Sequence, residues 1–528
     1  MSNVHRRHLL KMGGVGALSL AMPRLSFAQP TKTLRAVMHA PLRVTDPVVS
    51  TAWTARNHGY NIYDTLFSVN SKFEVKPQMV DTYEVSSDKL VYTFHLRSGL
   101  KFHDGAPVTS ADVIPSLQRW AKRDSMGQKL MEFVAELKAV DDRTFRITLK
   151  QPCGFLLQAL GKPNSNVPFI MPARIAATPA EQAVTEQIGS GPFRFVASEF
   201  QPGTKAVYER NADYVSRDEP SDGMSGGRVV KIGRFEWISM PDMGTAINAI
   251  TNDEIDYVEV PPHDLIPSLQ TADGVVLFDY NELGYVGTCR LNWLAPPFDK
   301  PEIRQAVLQA LNQKDWLDVQ IGNPAYFKET PAMFVAGTPY ESNSGWSTKA
   351  NTKLAKELLK KGGYANEPIV ILQPTDIPLL TPVTNVTAQA LRALGMNVQL
   401  LAMDWGSVLA RRAKMEPPTL GGWSIFHSAW AGTDMMNPLG NAYVNGKGKN
   451  GGTFGWSDDA PIEKLRDDFA KSESLPEQTA IADTIQKRAY EVVTYIPTGQ
   501  YKQPAAHRTS LKGLLKAPVP LFWNVDKA

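Results

Sequence analysis

Leu90, Tyr92, Phe94 and Leu96 alternate with Lys89, Thr93, His95 and Arg97. Successive side chains of a strand point to opposite faces, so this pattern predicts a half-buried β-strand with one face on a core. Thr144 to Lys150 repeats the pattern with Phe145, Ile147 and Leu149. Between the two the period changes. Thr109-Ser110-Ala111-Asp112 has the form of a capping box, with a Thr at the helix start and a carboxylate three residues on that reaches back. Val113, Leu117 and Trp120 then fall on one helical face, and Pro115 is out of place among them. Strand, helix and strand within about sixty residues constrain the chain to a mixed α/β fold.

Other segments agree. Thr33 to Met38 reads as a strand, Asp46-Pro47 to Trp53 as turns, and the stretch through Ile62 and Leu66 as helical. Asp299 is placed to cap a helix that Pro301 opens, with a stripe of Ile303, Ala306, Val307, Ala310 and Leu311. Asn351 to Lys361 and Pro382 to Leu394 read as helices stopped by Gly362-Gly363 and Gly395, and Met396 to Leu400 as a strand. Ser216 to Gly227 and Asn445 to Gly452 are long polar loops. About 500 residues exceed what one hydrophobic core serves, which predicts two or three domains.

The N-terminus reads as a signal peptide, residues 1–28. A basic start (His5 to Lys11) precedes an apolar run from Met12 to Met22, and Ser26-Phe27-Ala28 offers small residues for cleavage near Ala28. Arg6-Arg7 gives it a twin-arginine-like look, with Leu9 and His5 departing from that pattern. The apolar run is too short to anchor the chain in a bilayer, which needs about 20 residues. Of 56 basic residues, four (Arg6, Arg7, Lys11 and Arg24) stand in this leader. The remainder holds 52 against 53 acidic residues, a net charge of −1. A balanced chain gives no electrostatic grounds for nucleic-acid binding. The two cysteines, Cys153 and Cys289, allow one disulfide in an exported protein or two buried thiols.

Motifs for chemistry are sparse. Gly223-Met224-Ser225-Gly226-Gly227 matches the serine-nucleophile pattern, but that chemistry needs a strand before the serine and a helix after it. A polar loop precedes Ser225 and Val229-Val230 follows, so a glycine loop is the better reading. His103-Asp104-Gly105 reads as a turn, without the ligand cluster a metal needs. The sequence predicts no catalytic residue, no metal and no cofactor. Trp405, Trp423, Phe426, Trp430, Tyr443 and Trp456 surround Asp434 and Asn437 in a glycine-rich stretch. Apolar walls with a few hydrogen-bonding groups are what a small-molecule pocket requires, although an aromatic core beneath a loop has the same composition.

Seven phrases then appear in a familiar order. They are Thr93 to Arg97 with Gly99-Leu100-Lys101-Phe102-His103-Asp104-Gly105 and Val108 to Val113; Gly189-Ser190-Gly191-Pro192-Phe193; Asn211-Ala212-Asp213-Tyr214; Glu254-Ile255-Asp256-Tyr257; Pro297-Phe298-Asp299 with Ile303-Arg304-Gln305-Ala306; Leu358-Leu359 before Gly362-Gly363; and Leu394-Gly395. Together they resemble the family 5 extracytoplasmic solute-binding proteins, the peptide/nickel class of ABC importers.

The resemblance implies a periplasmic binding protein of type II form: two α/β lobes joined by a hinge, with an inserted α+β domain. Lobe I would hold residues 29–67, 189–284 and 499–528, the insertion 68–188, and the facing lobe 285–498. It implies a monomeric periplasmic receptor that closes on a small-molecule or oligopeptide ligand and delivers it to an inner-membrane ABC permease without altering it. Asp434 is the nearest match to the acidic residue that pairs with a peptide's α-amino group, and Asn437 occupies a position that is often acidic. Trp53 would be a first-lobe wall, the alternative being a core tryptophan, and Trp423, Phe426 and Trp430 are the other candidate ligand-binding residues. Two other readings stay open: an exported hydrolase using Ser225, and a sensor protein that has kept the same fold.

Overall fold

The computed structural model describes residues 32–528. The signal-peptide reading lies outside the described residues.

Two large sheets organise the chain. The first has seven strands in the order Phe193–Phe195, Lys205–Arg210, Arg234–Ile238, Thr33–Val37, Tyr257–Val258, Ala505–Arg508, Val275–Phe278. Its centre is parallel: Thr33–Val37 pairs in register with Arg234–Ile238 on one side and with Tyr257–Val258 on the other. The second sheet has six strands and is built from residues between Tyr285 and Tyr501. Tyr285–Leu291 lies at its middle, antiparallel to both Ile425–Ala431 and Ile496–Tyr501. The parallel pair Ile369–Pro374 and Val398–Met403 forms one edge.

The chain crosses between these sheets twice, at 279–284 and at 502–504. The crossings are tied to each other and to the first sheet. Lys502 pairs with Asp279 at 2.7 Å, and Gln503 donates to the Pro261 carbonyl. Gly284 has φ +60°, and a Cβ there would stand 2.2 Å from the Tyr501 carbonyl oxygen. The two passages run so close that only glycine fits.

The alternating segments pair as predicted. Val91–Leu96 and Thr144–Leu149 lie side by side in a four-stranded antiparallel sheet, with Tyr92, Phe94, Leu96, Phe145, Ile147 and Leu149 buried. Ser110–Ala121 covers them with Val113, Leu117 and Trp120, and Asp112 accepts from the Thr109 amide at its start. This layer is pinned to the seven-stranded part by a buried ion pair. Arg119 donates to Asp46 at 2.7 and 3.2 Å, and Asp46 also accepts from the Val48 and Val184 amides. It is pinned to the six-stranded part by the Lys447–Glu132, Lys89–Glu473 and Lys129–Asp467 pairs.

Several boundaries differ from the sequence reading. The first helix, Trp53–Ile62, stops before Leu66, because Asp64–Thr65 pairs as a strand with Phe169–Ile170. The helix Pro301–Ala310 is capped by Lys300 with no side-chain bond, so Asp299 does not cap it. Cys153 and Cys289 are both free and buried, and burial pushes the Cys153 thiol up to about 12. Among the described residues no helix is long and apolar enough to cross a membrane, and no cluster of three or more His, Cys, Asp or Glu could hold a metal.

Candidate functional site

The parallel strands Thr33–Val37 and Tyr257–Val258 end side by side. Ligands of open α/β sheets bind beyond such carboxyl ends. Glu259 directly follows the second strand, and His39 stands two residues past the end of the first. The Glu259 carboxylate lies 2.8 Å from the His39 ring Nδ1 and accepts from the His39 amide at 2.9 Å. Burial raises the Glu259 pKa, but the His39 contacts and the charge of Arg56 outweigh it, and the net shift is downward.

Trp53 opens the helix that returns over this edge. Its ring meets the His39 ring edge-on at 5.7 Å and lies 5.0 Å from the ring of Tyr285, the first residue of the opposite sheet's central strand. Tyr285 stacks on Tyr501 at 5.7 Å and shares a 2.7 Å hydroxyl contact with Tyr280. Tyr285, Tyr501, Ile321 and Ala431 form a small apolar cluster against which Trp53, Tyr326 and Leu379 pack. Trp53 thus joins the first sheet's edge to the second at the crossings.

One turn into the same helix, Arg56 is 3 % exposed. Its Nε and Nη2 both donate to Asn57 Oδ1 at 3.1 Å, and the guanidinium carbon stands 5.9 Å from the Trp53 ring centroid. Asp434 lies within the electrostatic reach of Arg56. Its carboxylate accepts from the Ser165 amide and the Ala431 amide, each at 3.2 Å, which ties the 161–168 loop to the turn after strand Ile425–Ala431. Burial raises the Asp434 pKa, against the charges of Arg56 and Lys162 and the two amides.

The predicted site residues therefore separate. Trp53 lies beside Arg56, and Asp434 lies within the electrostatic reach of the same guanidinium. Trp430 sits one residue before Ala431, half-buried, with its ring edge-on to Tyr443 at 5.2 Å. Asn437 accepts from the Leu439 and Gly440 amides and so shapes its own turn. Trp423 and Phe426 are fully buried in the second sheet's core: Trp423 bonds to the Arg412 carbonyl, and the two rings pack edge-on at 5.0 Å. Both are sealed from solvent: Ile425, Phe426 and His427 are all buried although they alternate between the strand's two faces, so both faces of this strand are covered.

The sequence reading missed His39, Arg56, Glu259, Tyr285 and Tyr501. One signal was present. The helix segment Trp-Thr-Ala-Arg-Asn-His-Gly-Tyr-Asn-Ile has no apolar stripe, yet every residue from Thr54 to Ile62 is buried. A polar helix buried all round needs partners for its polar groups.

The rejected motifs are ordinary structure. The Ser225 hydroxyl donates to the Asp222 carbonyl inside the glycine loop, with no strand–turn–helix around it. His103 is held by the backbone on both ring nitrogens, Nε2 to the Gly191 carbonyl and Nδ1 from the Gly189 amide, and Gly105 takes φ +88° in the turn.

Residues 74–452 match the family model of bacterial extracellular solute-binding proteins, family 5. The chain is 39 % identical, over 99 % of its length and 100 % of the relative's, to the "Probable peptide ABC transporter periplasmic-binding protein y4tO" of Sinorhizobium fredii. It is 25 % identical, over 98 % of its length and 97 % of the relative's, to the glutathione-binding protein GsiB of Escherichia coli O6:K15:H31. Among solved structures it superposes on the binding protein AgaA from A. tumefacien R10, in complex with agropinic acid, with TM-score 0.79 at 22 % identity, covering 94 % of this chain and 99 % of that one. For DppA from Helicobacter pylori in complex with the peptide STSA, the TM-score is 0.78 at 20 % identity, covering 94 % and 98 %. These likenesses establish the fold as that of the two-lobed periplasmic binding proteins.

Proposed function

Since this chain belongs to the bacterial extracellular solute-binding proteins of family 5, we propose that it is a periplasmic receptor that captures a peptide-like or similar small solute and hands it to an ABC permease unaltered. The observation that carries this reading is the meeting of Trp53 with Tyr285 and Tyr501 across two chain crossings, at the carboxyl ends of parallel strands. Two lobes joined at such crossings rock open and shut, and a solute touching both favours the shut form. Binding at micromolar affinity supplies about 8 kcal/mol, of which a part offsets closure.

In this reading residues 29–67, 189–284 and 499–528 form lobe I, 68–188 the insertion and 285–498 the facing lobe. Trp53 and Trp430 supply apolar walls, and Asp434 receives a cationic group of the solute, with Asn437 holding the turn that carries it. Trp423 and Phe426 act only as the packed support behind Trp430. The protein works as an exported monomer, without catalysis, metal or cofactor.

The test is a thermal-shift and calorimetric screen of purified protein with dipeptides, tripeptides, glutathione and sugar–amino acid conjugates, followed by mass spectrometry of the recovered solute. A solute at a hundred times its dissociation constant stabilises by about 2.7 kcal/mol and is recovered intact. Turnover of the solute, or no binding by any member of the screen, overturns the reading.

A further inference from the structure

The receptor reading leaves the charge of the solute open, and the first helix narrows it. Resting on that reading, we infer that the amino end of helix Trp53–Ile62, with Arg56 and Asn57, is a subsite for a single carboxylate of the bound solute.

Three observations converge there. Arg56 is 3 % exposed, and its Nη1 has no hydrogen-bond partner among the described residues. Asn57 is equally buried; its Oδ1 is used by Arg56, and its Nδ2 has no partner among them either. Buried polar groups are almost always paired, so two neighbouring donors left over mark a place where an acceptor binds. The helix start adds a third. Its cap residue, Ala52, makes no side-chain bond to the first-turn amides, and no acidic residue stands in that turn. An uncapped ten-residue helix presents free N–H groups and the positive end of its dipole. The Arg56 side chain leans back over Trp53, toward that same end.

Two hydroxyls near Asp434, Ser165 Oγ and Thr433 Oγ1, are also buried and unpartnered among the described residues. They give a small polar solute further bonds from the insertion and from the facing lobe. The charge balance fixes the valence. Arg56 faces two carboxylates, Glu259 and Asp434; Lys162 also reaches Asp434, but it is already paired with Asp124. A dianion such as phosphate would meet net repulsion there. A carboxylate with an ammonium beside it, as in an amino acid, a short peptide or an amino-acid conjugate, adds no net charge, and its two ends meet Arg56 and Asp434 respectively. The guanidinium is already oriented by Asn57, so it receives the carboxylate without first being ordered.

The experiment compares matched solutes on the wild-type protein by calorimetry: free amino acids and dipeptides, the same compounds as carboxyl-terminal amides, inorganic phosphate, and neutral sugar alditols. Free acids are expected to bind at least 30-fold more tightly than their amides, and phosphate not at all. Arg56→Gln is expected to weaken the best acid at least 100-fold and to abolish the acid–amide difference. Arg56→Lys, which keeps the charge but loses the planar fork, is expected to weaken it about 10-fold. The amide comparison needs no variant, so it decides the matter even if Arg56→Gln folds poorly. Amides or alditols that bind as well as the acids, or an Arg56→Gln protein that binds the acid as tightly as wild type, overturn the carboxylate subsite and leave the receptor reading standing. A set in which nothing binds overturns both.

Discussion

His58 shares the helix of Trp53 and Arg56, and acid should act on the protein through it. Its ring is fully buried between Tyr208 and Gln187. Nε2 donates to Gln187 Oε1 at 3.1 Å, and the Tyr208 hydroxyl lies 2.9 Å from Nδ1. Burial lowers its pKa from 6.5 to about 4, and only the Gln187 bond and the distant Asp46 charge pull the other way. A group that stays neutral in the folded chain but protonates in the unfolded one stabilises the fold above pH 6.5. That stabilisation is lost as pH falls from 6.5 toward 4, because the unfolded state then binds the extra proton. At pH 5 the loss is about 2 kcal/mol for these two pKa values. His427, buried against Trp316 and Thr387 and lowered to about 3, loses about 2 kcal/mol more by the same pH. His103, lowered to about 4 but less enclosed, adds a smaller share in the same direction. The sum is a large fraction of an ordinary stability of about 5–15 kcal/mol. An unfolding entropy of about 2 cal/mol/K per residue makes 1 kcal/mol worth about 1 °C in a chain of this size. Calorimetric melting should therefore fall by about 4–6 °C between pH 7 and pH 5. In His58→Gln the melting point at pH 7 should drop, but the further fall to pH 5 should shrink by about 2 °C. Equal falls in the wild type and in both His58→Gln and His427→Gln would refute the assignment of this acid sensitivity to buried neutral histidines.

Two further outcomes follow from the way the parts are joined. Arg119→Met removes the side-chain cation bonded to the buried Asp46 and should cost about 3–5 kcal/mol in denaturant unfolding, with faster hydrogen exchange around 178–184, where Arg119 also holds two carbonyls; Asp46→Asn on that background should recover a substantial part. Gly284→Ala places a Cβ against the Tyr501 carbonyl at one crossing and imposes a positive φ on a side chain; small-angle scattering should show a smaller solute-induced compaction than in wild type, with unchanged far-ultraviolet circular dichroism.

The elements legible in the sequence were those whose signal is local. The alternation at Val91–Leu96 and Thr144–Leu149 needs only one buried face to be read. The helix Thr352–Lys361 announces itself through Asn351, whose side chain accepts from the Leu354 amide, and through the glycines that end it. The capping mistake at Asp299 is a shift of one residue: Pro301 takes the first helical position, which makes Lys300 the cap. The crossing at 502–504 was not readable from pattern. Nothing local in Gln503 says that it bonds Pro261, 242 residues earlier. The aromatic stretch from Trp405 to Trp456 is hard to read for a different reason. A buried core and a solute pocket draw on the same residues, so composition could not separate Trp423, which is sealed, from Trp430, which is half-buried. Trp53 stands out in the sequence because a turn-rich segment delivers it to a helix start. Arg56 and Asn57 were passed over because charged and amide side chains on a helix read as a solvated face.

That oversight bears on how a two-lobed receptor couples closure to occupancy. A lining made only of tryptophan and tyrosine would favour the shut form whether or not a solute were present, because apolar burial rewards any contact between the lobes. Arg56 and Asn57 work against this. Each buried donor without an acceptor costs about 1–3 kcal/mol, and that cost disappears when a bound carboxylate accepts from it. On the proposed mechanism these two residues set a difference of several kcal/mol between the shut form with and without its solute. A difference of that size is enough to move a two-state equilibrium by two or more orders of magnitude. Replacing both by leucine and alanine should therefore give a protein that is more compact without solute than the wild type, and that barely responds when solute is added.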